Sequence, residues 1–175
     1  MERSEQEFRQ AALGCLDGLY RFALALARDR GAAEDLVQET YARALAARHK
    51  AAPGESMRSW MFVILHNAWR NERRRRRPQA EPEEVERLPA REDLVATLEW
   101  RTAGERLHHA IQSLPAPFRQ VLALRYVEEL SYKEMADVLD CPAGTVMSRL
   151  ARARVLLRET LRPLALEPLP REMAR

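Results

Sequence analysis

Residues 130–154 read LSYKEMADVLDCPAGTVMSRLARAR. Ser131 and Glu134 stand at the spacing of a capping box, which opens a short helix running to Leu139. Asp140-Cys141-Pro142 is then a turn, and Pro142 suits the first position of a last helix that extends to about Leu161. On this reading Met135, Ala136 and Leu139 pack against Val146 and Leu150, and Thr145, Ser148, Arg149 and Arg152 point outward. A short helix, a tight turn and a basic second helix is the helix-turn-helix arrangement, whose second helix fits a DNA major groove. Arginine binds guanine edges or phosphates through two donors, while Ser and Thr suit phosphate oxygens. Taken alone, the stretch is also compatible with a helical hairpin that has a solvated basic face.

Working outward, the rest of the chain is patterned as helices. Phe8, Ala12, Cys15, Leu16, Leu19, Phe22, Ala23 and Leu26 recur at the helical period, predicting one helix from Glu5 to Arg30 with Gly31 as its stop. A second is predicted from Ala32 to about Arg48, with Leu36, Val37, Tyr41, Ala44 and Leu45 on one side. Glu34 and Asp35 lie in its first turn, where the helix dipole favours negative charge. KAAPGES is a loop by its Pro-Gly pair. Ser56 can cap a third helix over Met57–Arg76, with Met57, Trp60, Met61, Ile64, Leu65 and Ala68 inward, and Pro78 ends it. Residues 78–93, PQAEPEEVERLPARED, combine three prolines with an excess of Glu and no period, and read as a linker. A fourth helix is expected over Leu94–Ser113, and Pro115 opens a fifth through Glu128. The expected fold class is therefore all-α: two small helical domains, 5–77 and 94–165, joined by the acidic, proline-containing linker 78–93.

Composition agrees. The chain has 175 residues, 46% hydrophobic, with ten Pro, six Gly and only 6% aromatic. No apolar run reaches transmembrane length, and Glu2, Glu5 and Glu7 interrupt any signal-like start. Cys15 and Cys141 are far apart and lack metal-ligand spacing. These features suit a soluble, cytoplasmic protein with reduced thiols and no direct membrane insertion. Net charge is only +3, but its placement is uneven: six arginines fall between Arg70 and Arg77, opposed only by Glu72. His49, His66, His108 and His109 make no ligand or triad spacing, and no Gly-rich phosphate loop is present. The reading is of a non-enzyme without metal or cofactor.

LSYKEMADVLDCPAGTVMSRLARAR closely resembles the region 4 helix-turn-helix of bacterial RNA polymerase sigma factors of the extracytoplasmic-function (ECF) branch. EDLVQETYARAL, residues 34–45, followed by SMRSWMFVILHNAWRNERRRR, residues 56–76, resembles region 2 of the same family. The motifs occur in the family's order and the likeness spans roughly Phe8 to Leu164.

The resemblance implies a protein that binds core RNA polymerase and directs it to promoter DNA, region 4 reading the −35 element and region 2 helping to open the −10 element. It places Asp35, Gln38 and Glu39 on the face that meets the largest subunit's coiled coil, with region 4 meeting the flap. Asn67, Arg70, Asn71, Arg73 and Arg74 fall on the −10 surface, and Thr145, Ser148, Arg149, Arg152 and Arg154 on the −35 surface. It also implies control by an anti-sigma factor. These roles are physically apt, because an opened strand needs a basic track and stacking platforms, and Trp60 and Trp69 lie on the helix that carries the arginines. Trp60 belongs to the apolar stripe and is expected in the core. Met147 and Ala151 stand where relatives often carry a basic and a large residue, and Ala51-Ala52-Pro53-Gly54 is less polar than usual, so the promoter sequence is not carried over.

A decoy that sequesters an anti-sigma factor without binding DNA is the alternative, but decoys usually carry a receiver domain and lose the basic residues kept here. An operator-binding repressor would need a dimerisation or effector domain, which the sequence does not show.

Overall fold

In the computed structural model, residues 2–50, 56–76 and 103–162 are described, and their regular elements are helical. The expected linker 78–93 and the first part of the helix expected from Leu94 lie outside the described residues.

The long amino-terminal period is two helices, α1 (Glu2–Leu13) and α2 (Leu16–Ala27). They break at Gly14-Cys15, where the Cys15 amide bonds the Ala12 carbonyl at 2.9 Å in a tightened turn. The break rotates Leu16 out of the apolar stripe, so this expected core residue is exposed. Arg28 adopts a left-handed conformation, φ 61°, and ends α2. Asp29 then accepts from the Ala32 amide at 2.8 Å and caps α3 (Arg30–Ala46). Gly31, expected as the stop, lies in the first turn of α3, because the Asp29 carboxylate is the stronger local signal. After a 3₁₀ turn at Arg48–Lys50 comes α4 (Met57–Arg76).

The carboxy-terminal set opens with α5 (Ala103–Ser113) and α6 (Ala116–Leu122), which starts after Pro115. A π-helical turn over Ala123–Val127 widens the last part of the expected fifth helix. Glu129, left-handed at φ 55°, closes it. The capping box at Ser131 and Glu134 is formed and opens α7 (Tyr132–Leu139). Asp140 is left-handed, φ 51°, and Pro142 sits at the N-cap of α8 (Ala143–Leu161), one position earlier than expected.

Leu19, Phe22, Ala33, Val37, Met61 and Leu65 are buried among α2, α3 and α4, with Phe22 and Phe62 edge to face at 5.5 Å. Val121, Leu124, Met135, Val138, Val146 and Leu150 are buried in the second set. The two sets meet: α4 packs on α7, α2 packs on α6, and the buried residues form one continuous core. The helix α4 is consequently buried on two sides. Phe62 and His66 are buried along with Met61, Leu65 and Ala68 of the inward stripe, while Met57, Ile64 and Trp60 are only partly buried, Trp60 edge-on to Phe8 at 6.1 Å.

Candidate nucleic-acid interface

On α8, Thr145, Ser148, Arg149 and Arg152 follow at i, i+3, i+4 and i+7 and share one face. Val146, Leu150 and Ala153 are buried on the other, holding the helix against its neighbours. Ser148 and Arg152 are exposed, whereas Thr145 and Arg149 are half-buried. The Ser148 hydroxyl donates to the Thr145 carbonyl at 3.0 Å, a helix-internal bond that leaves its lone pairs outward. Arg154 lies on a different face: its Nε donates to the Tyr126 hydroxyl at 2.7 Å and its guanidinium covers that ring at 5.7 Å. The structure therefore brings four of the five expected −35 residues together and sets Arg154 apart.

Along α4, Asn67, Arg70, Asn71 and Arg74 share a face by the same spacing, and Asn67, Asn71 and Arg74 are exposed. Arg73 is exposed but stacks over Trp69, 4.9 Å from guanidinium carbon to ring centroid, and His66 lies on the same ring at 5.7 Å. Trp69 is thus partly buried and already in contact with Arg73 and His66 rather than an open stacking platform. On α3, Asp35, Gln38 and Glu39 are all exposed on one side, and Leu36, Val37 and Thr40 are buried on the other. Glu39 is paired with Arg43 one turn on, at 2.6 Å.

Several of these side chains meet at the seam between α4 and the helix-turn-helix. Arg70 Nη1 lies 2.9 Å from Asp140 Oδ2. Ser59 donates to Glu134 Oε1 at 2.9 Å, while Glu134 Oε2 accepts from the Ser131 amide. That amide bond, with the Ser131 and Ser59 hydroxyls, holds the Glu134 carboxyl below the usual carboxylate range. Arg149 turns one donor toward the Cys141 sulfur at 3.9 Å, and its buried Nε has no hydrogen-bond partner among the described residues. His66 is buried beside these groups. Burial first, and then the Arg70 charge, push its imidazole down to about 4, against smaller opposing effects of the Val138 backbone and Asp140. Neither Cys15 nor Cys141 forms a disulfide. An open groove of about 810 Å³ runs along the seam, lined by Trp60 and Val63 on one wall and Glu134, Asp137 and Asp140 on the other.

The chain is similar in sequence and in fold to known proteins. Residues 14–79 match the family model Sigma-70 region 2, and residues 104–157 match Sigma-70, region 4. The chain is 34% identical to the ECF RNA polymerase sigma factor EcfG of Rhodopseudomonas palustris, over 83% of this chain and 80% of that protein. It belongs to the ECF sigma factors. It is also 36% identical to ECF RNA polymerase sigma factor SigE of Mycolicibacterium smegmatis, over 83% of this chain and 58% of that relative. A solved structure of the sigma factor RpoE with the anti-sigma factor NepR from Bartonella quintana is similar at TM-score 0.71 and 30% identity. The match covers 90% of this chain and 98% of that one.

Three residues of this sigma factor that matter at the seam escaped sequence reasoning. Glu128 is fully buried and Arg119 is nearly so, although nothing in their sequence surroundings singles out either charge. His66 was read only as unable to form a ligand set. Their partners are far away in sequence, 107 residues for Glu128 with Arg21 and 94 for Arg119 with Ala25, so no local pattern could disclose them.

Proposed function

We propose that this sigma factor binds core RNA polymerase and directs it to promoters in the cytoplasm. Asp35, Gln38 and Glu39 meet the largest subunit's coiled coil, and region 4 meets the flap. Thr145, Ser148, Arg149 and Arg152 form the −35 surface, with Arg154 at its margin, and Asn67, Arg70, Asn71, Arg73 and Arg74 form the −10 surface. The observation that carries this reading is that Thr145, Ser148, Arg149 and Arg152 share one face of the second helix of a helix-turn-helix, away from buried Val146, Leu150 and Ala153. Such a face presents bidentate donors to base edges and hydroxyls to phosphates. The two units, residues 5–77 and 94–165, act as separate DNA-reading modules on the 78–93 tether, each weak until polymerase fixes their spacing. An anti-sigma factor restrains the protein, and the aromatic and acidic groove along the α4 seam suits a segment carrying apolar and basic side chains.

Run-off transcription with purified core polymerase tests the reading. Transcripts that need both this chain and matched −35 and −10 elements are the expected result. Tight, sequence-specific footprinting by the free chain, with no transcript in the presence of core, would refute it.

A further inference from the structure

Glu128 follows the π-helical turn of region 4, yet its carboxylate is held entirely by region 2. Arg21 on α2 donates to it twice, Nε to Oε1 at 2.9 Å and Nη2 to Oε2 at 3.3 Å. Arg58 on α4 donates Nη2 to Oε2 at 2.6 Å. No other hydrogen bond to this carboxylate is formed among the described residues, and its side chain is 0% exposed while the two arginines remain 50% and 42% exposed. A buried carboxylate is costly unless paired, so region 4 gains from this residue only while docked.

The seat beneath it is shaped to match. Gly18 lies within α2, where glycine is less favourable than alanine for the helix. A Cβ there would stand 2.5 Å from Glu128 Oε2 and 3.3 Å from its carboxyl carbon, with Phe62 at 3.4 Å on another side. The clamped carboxylate cannot move aside without breaking its bonds to the arginines. A second polar lock lies nearby: buried Arg119 of α6 donates Nε to the Ala25 carbonyl of α2, and Nη1 to the Leu114 and Gln112 carbonyls.

We infer that Glu128, seated over Gly18 between Arg21 and Arg58, is an intramolecular latch that keeps the free sigma factor closed. In the closed chain Arg70 of the −10 set is paired with Asp140 of the other half, and Arg149 of the −35 set is turned into the seam, with one donor toward Cys141 of its own half. Both locks are polar, so opening returns Glu128 and Arg119 to water rather than exposing only apolar surface. The latch is reversible for that reason, and the half-exposed arginines make it sensitive to salt. Its regulatory meaning rests on the proposed polymerase-binding and DNA-reading roles, but its existence does not.

The test uses full-length Glu128→Gln and Gly18→Ala. The first keeps shape and removes charge; the second strengthens α2 and denies the carboxylate its seat. Small-angle scattering without polymerase should show the wild type compact and both variants expanded, with helix content retained. Core-polymerase affinity should rise by about tenfold in both, because a larger fraction of molecules is already open. If Glu128→Gln fails to fold, Gly18→Ala decides. Scattering profiles identical to wild type overturn the latch. Expansion with unchanged core affinity overturns its gating role. Expansion in a chain that proves inactive in transcription leaves the latch standing and removes the function proposed for it.

Discussion

Arg70 of α4 and Asp140 of the helix-turn-helix turn are joined across the seam, Nη1 to Oδ2 at 2.9 Å. The pair links a candidate −10 contact to the element that carries the candidate −35 face. While it stands, Nη1 of Arg70 is committed to Asp140 rather than to a phosphate.

Breaking that pair should therefore release DNA-binding capacity at little structural cost. Asp140→Asn is the suitable change, since Asn tolerates the left-handed backbone found at this position. Asp140 is 74% exposed, so its ion pair contributes no more than about 1 kcal/mol. The expected outcome is unchanged stability and tighter binding to a single-stranded −10 oligonucleotide, read by fluorescence anisotropy. Equal affinity in both proteins would show that the pair does not restrain Arg70.

The partner face gives an independent prediction. Asp35→Arg should weaken binding to core polymerase while leaving the circular dichroism spectrum and melting unchanged, because Asp35 is exposed on α3. Glu39→Lys should weaken it too, and should also lose the pair with Arg43, a further about 0.3–0.5 kcal/mol of stability. A pull-down with core polymerase distinguishes the outcomes, and intact binding by both folded variants would move the partner surface elsewhere.

These elements show what was legible in the sequence. Ser131 and Glu134, three residues apart, specify the start of α7, and Pro142 specifies where α8 begins; both signals act within one turn. The all-α class followed from apolar periods of the same short range. The break at Gly14-Cys15 was hidden because apolar residues continue in phase on both sides of it, and only Leu16 falls out of register. The closed seam was hidden for another reason. His66 and Glu128 are buried against residues from the other half of the chain, and a second buried side on α4 looks in sequence like a less regular stripe. The candidate site divided likewise: Thr145, Ser148, Arg149 and Arg152 were placed together by helical spacing, but the sharing of Arg149 and Arg70 with the seam required the fold.

The arginines should separate by role. Arg152→Ala should cost about 1–3 kcal/mol in promoter binding and relax preference at one or two −35 positions. Arg154→Ala should leave that preference intact, since Arg154 is committed to Tyr126. Arg74→Ala should weaken all promoters about equally and lower the salt slope by roughly one. Arg73→Ala should add to any such loss a disturbed Trp69 fluorescence, because its guanidinium covers that ring. Transcription from a −35 library at several salt concentrations reads these effects. Uniform loss with Arg152→Ala would make that arginine a positioning contact and leave base reading to Thr145, Ser148 or DNA shape.

The last prediction concerns acid. His66 is buried at the seam and its pKa is lowered to about 4, chiefly by burial and then by Arg70. An unfolded histidine titrates near 6.5. Between about pH 6.5 and 4 the unfolded chain therefore binds more protons than the folded one, and stability must fall as pH falls through that window. Above it, His66 is neutral in both states and its contribution is full; below about 4 it is protonated in both and the loss levels off. Within the window the slope from this group approaches about 1.4 kcal/mol per pH unit. Arg70, Arg149 and Asp140 face the imidazole, and Glu134 on the adjoining helix is held below the usual carboxylate range by its bonds to Ser131 and Ser59, so its contribution is lost as pH falls through that lowered pKa. Comparing His66→Gln with wild type isolates the histidine, because the carboxylates are common to both. Urea unfolding at a series of pH values should show a shallower decline for His66→Gln between pH 6.5 and 4, whatever its absolute stability. Parallel curves would mean that His66 is not the group that makes the closed chain acid-sensitive, and would leave that property to the seam carboxylates.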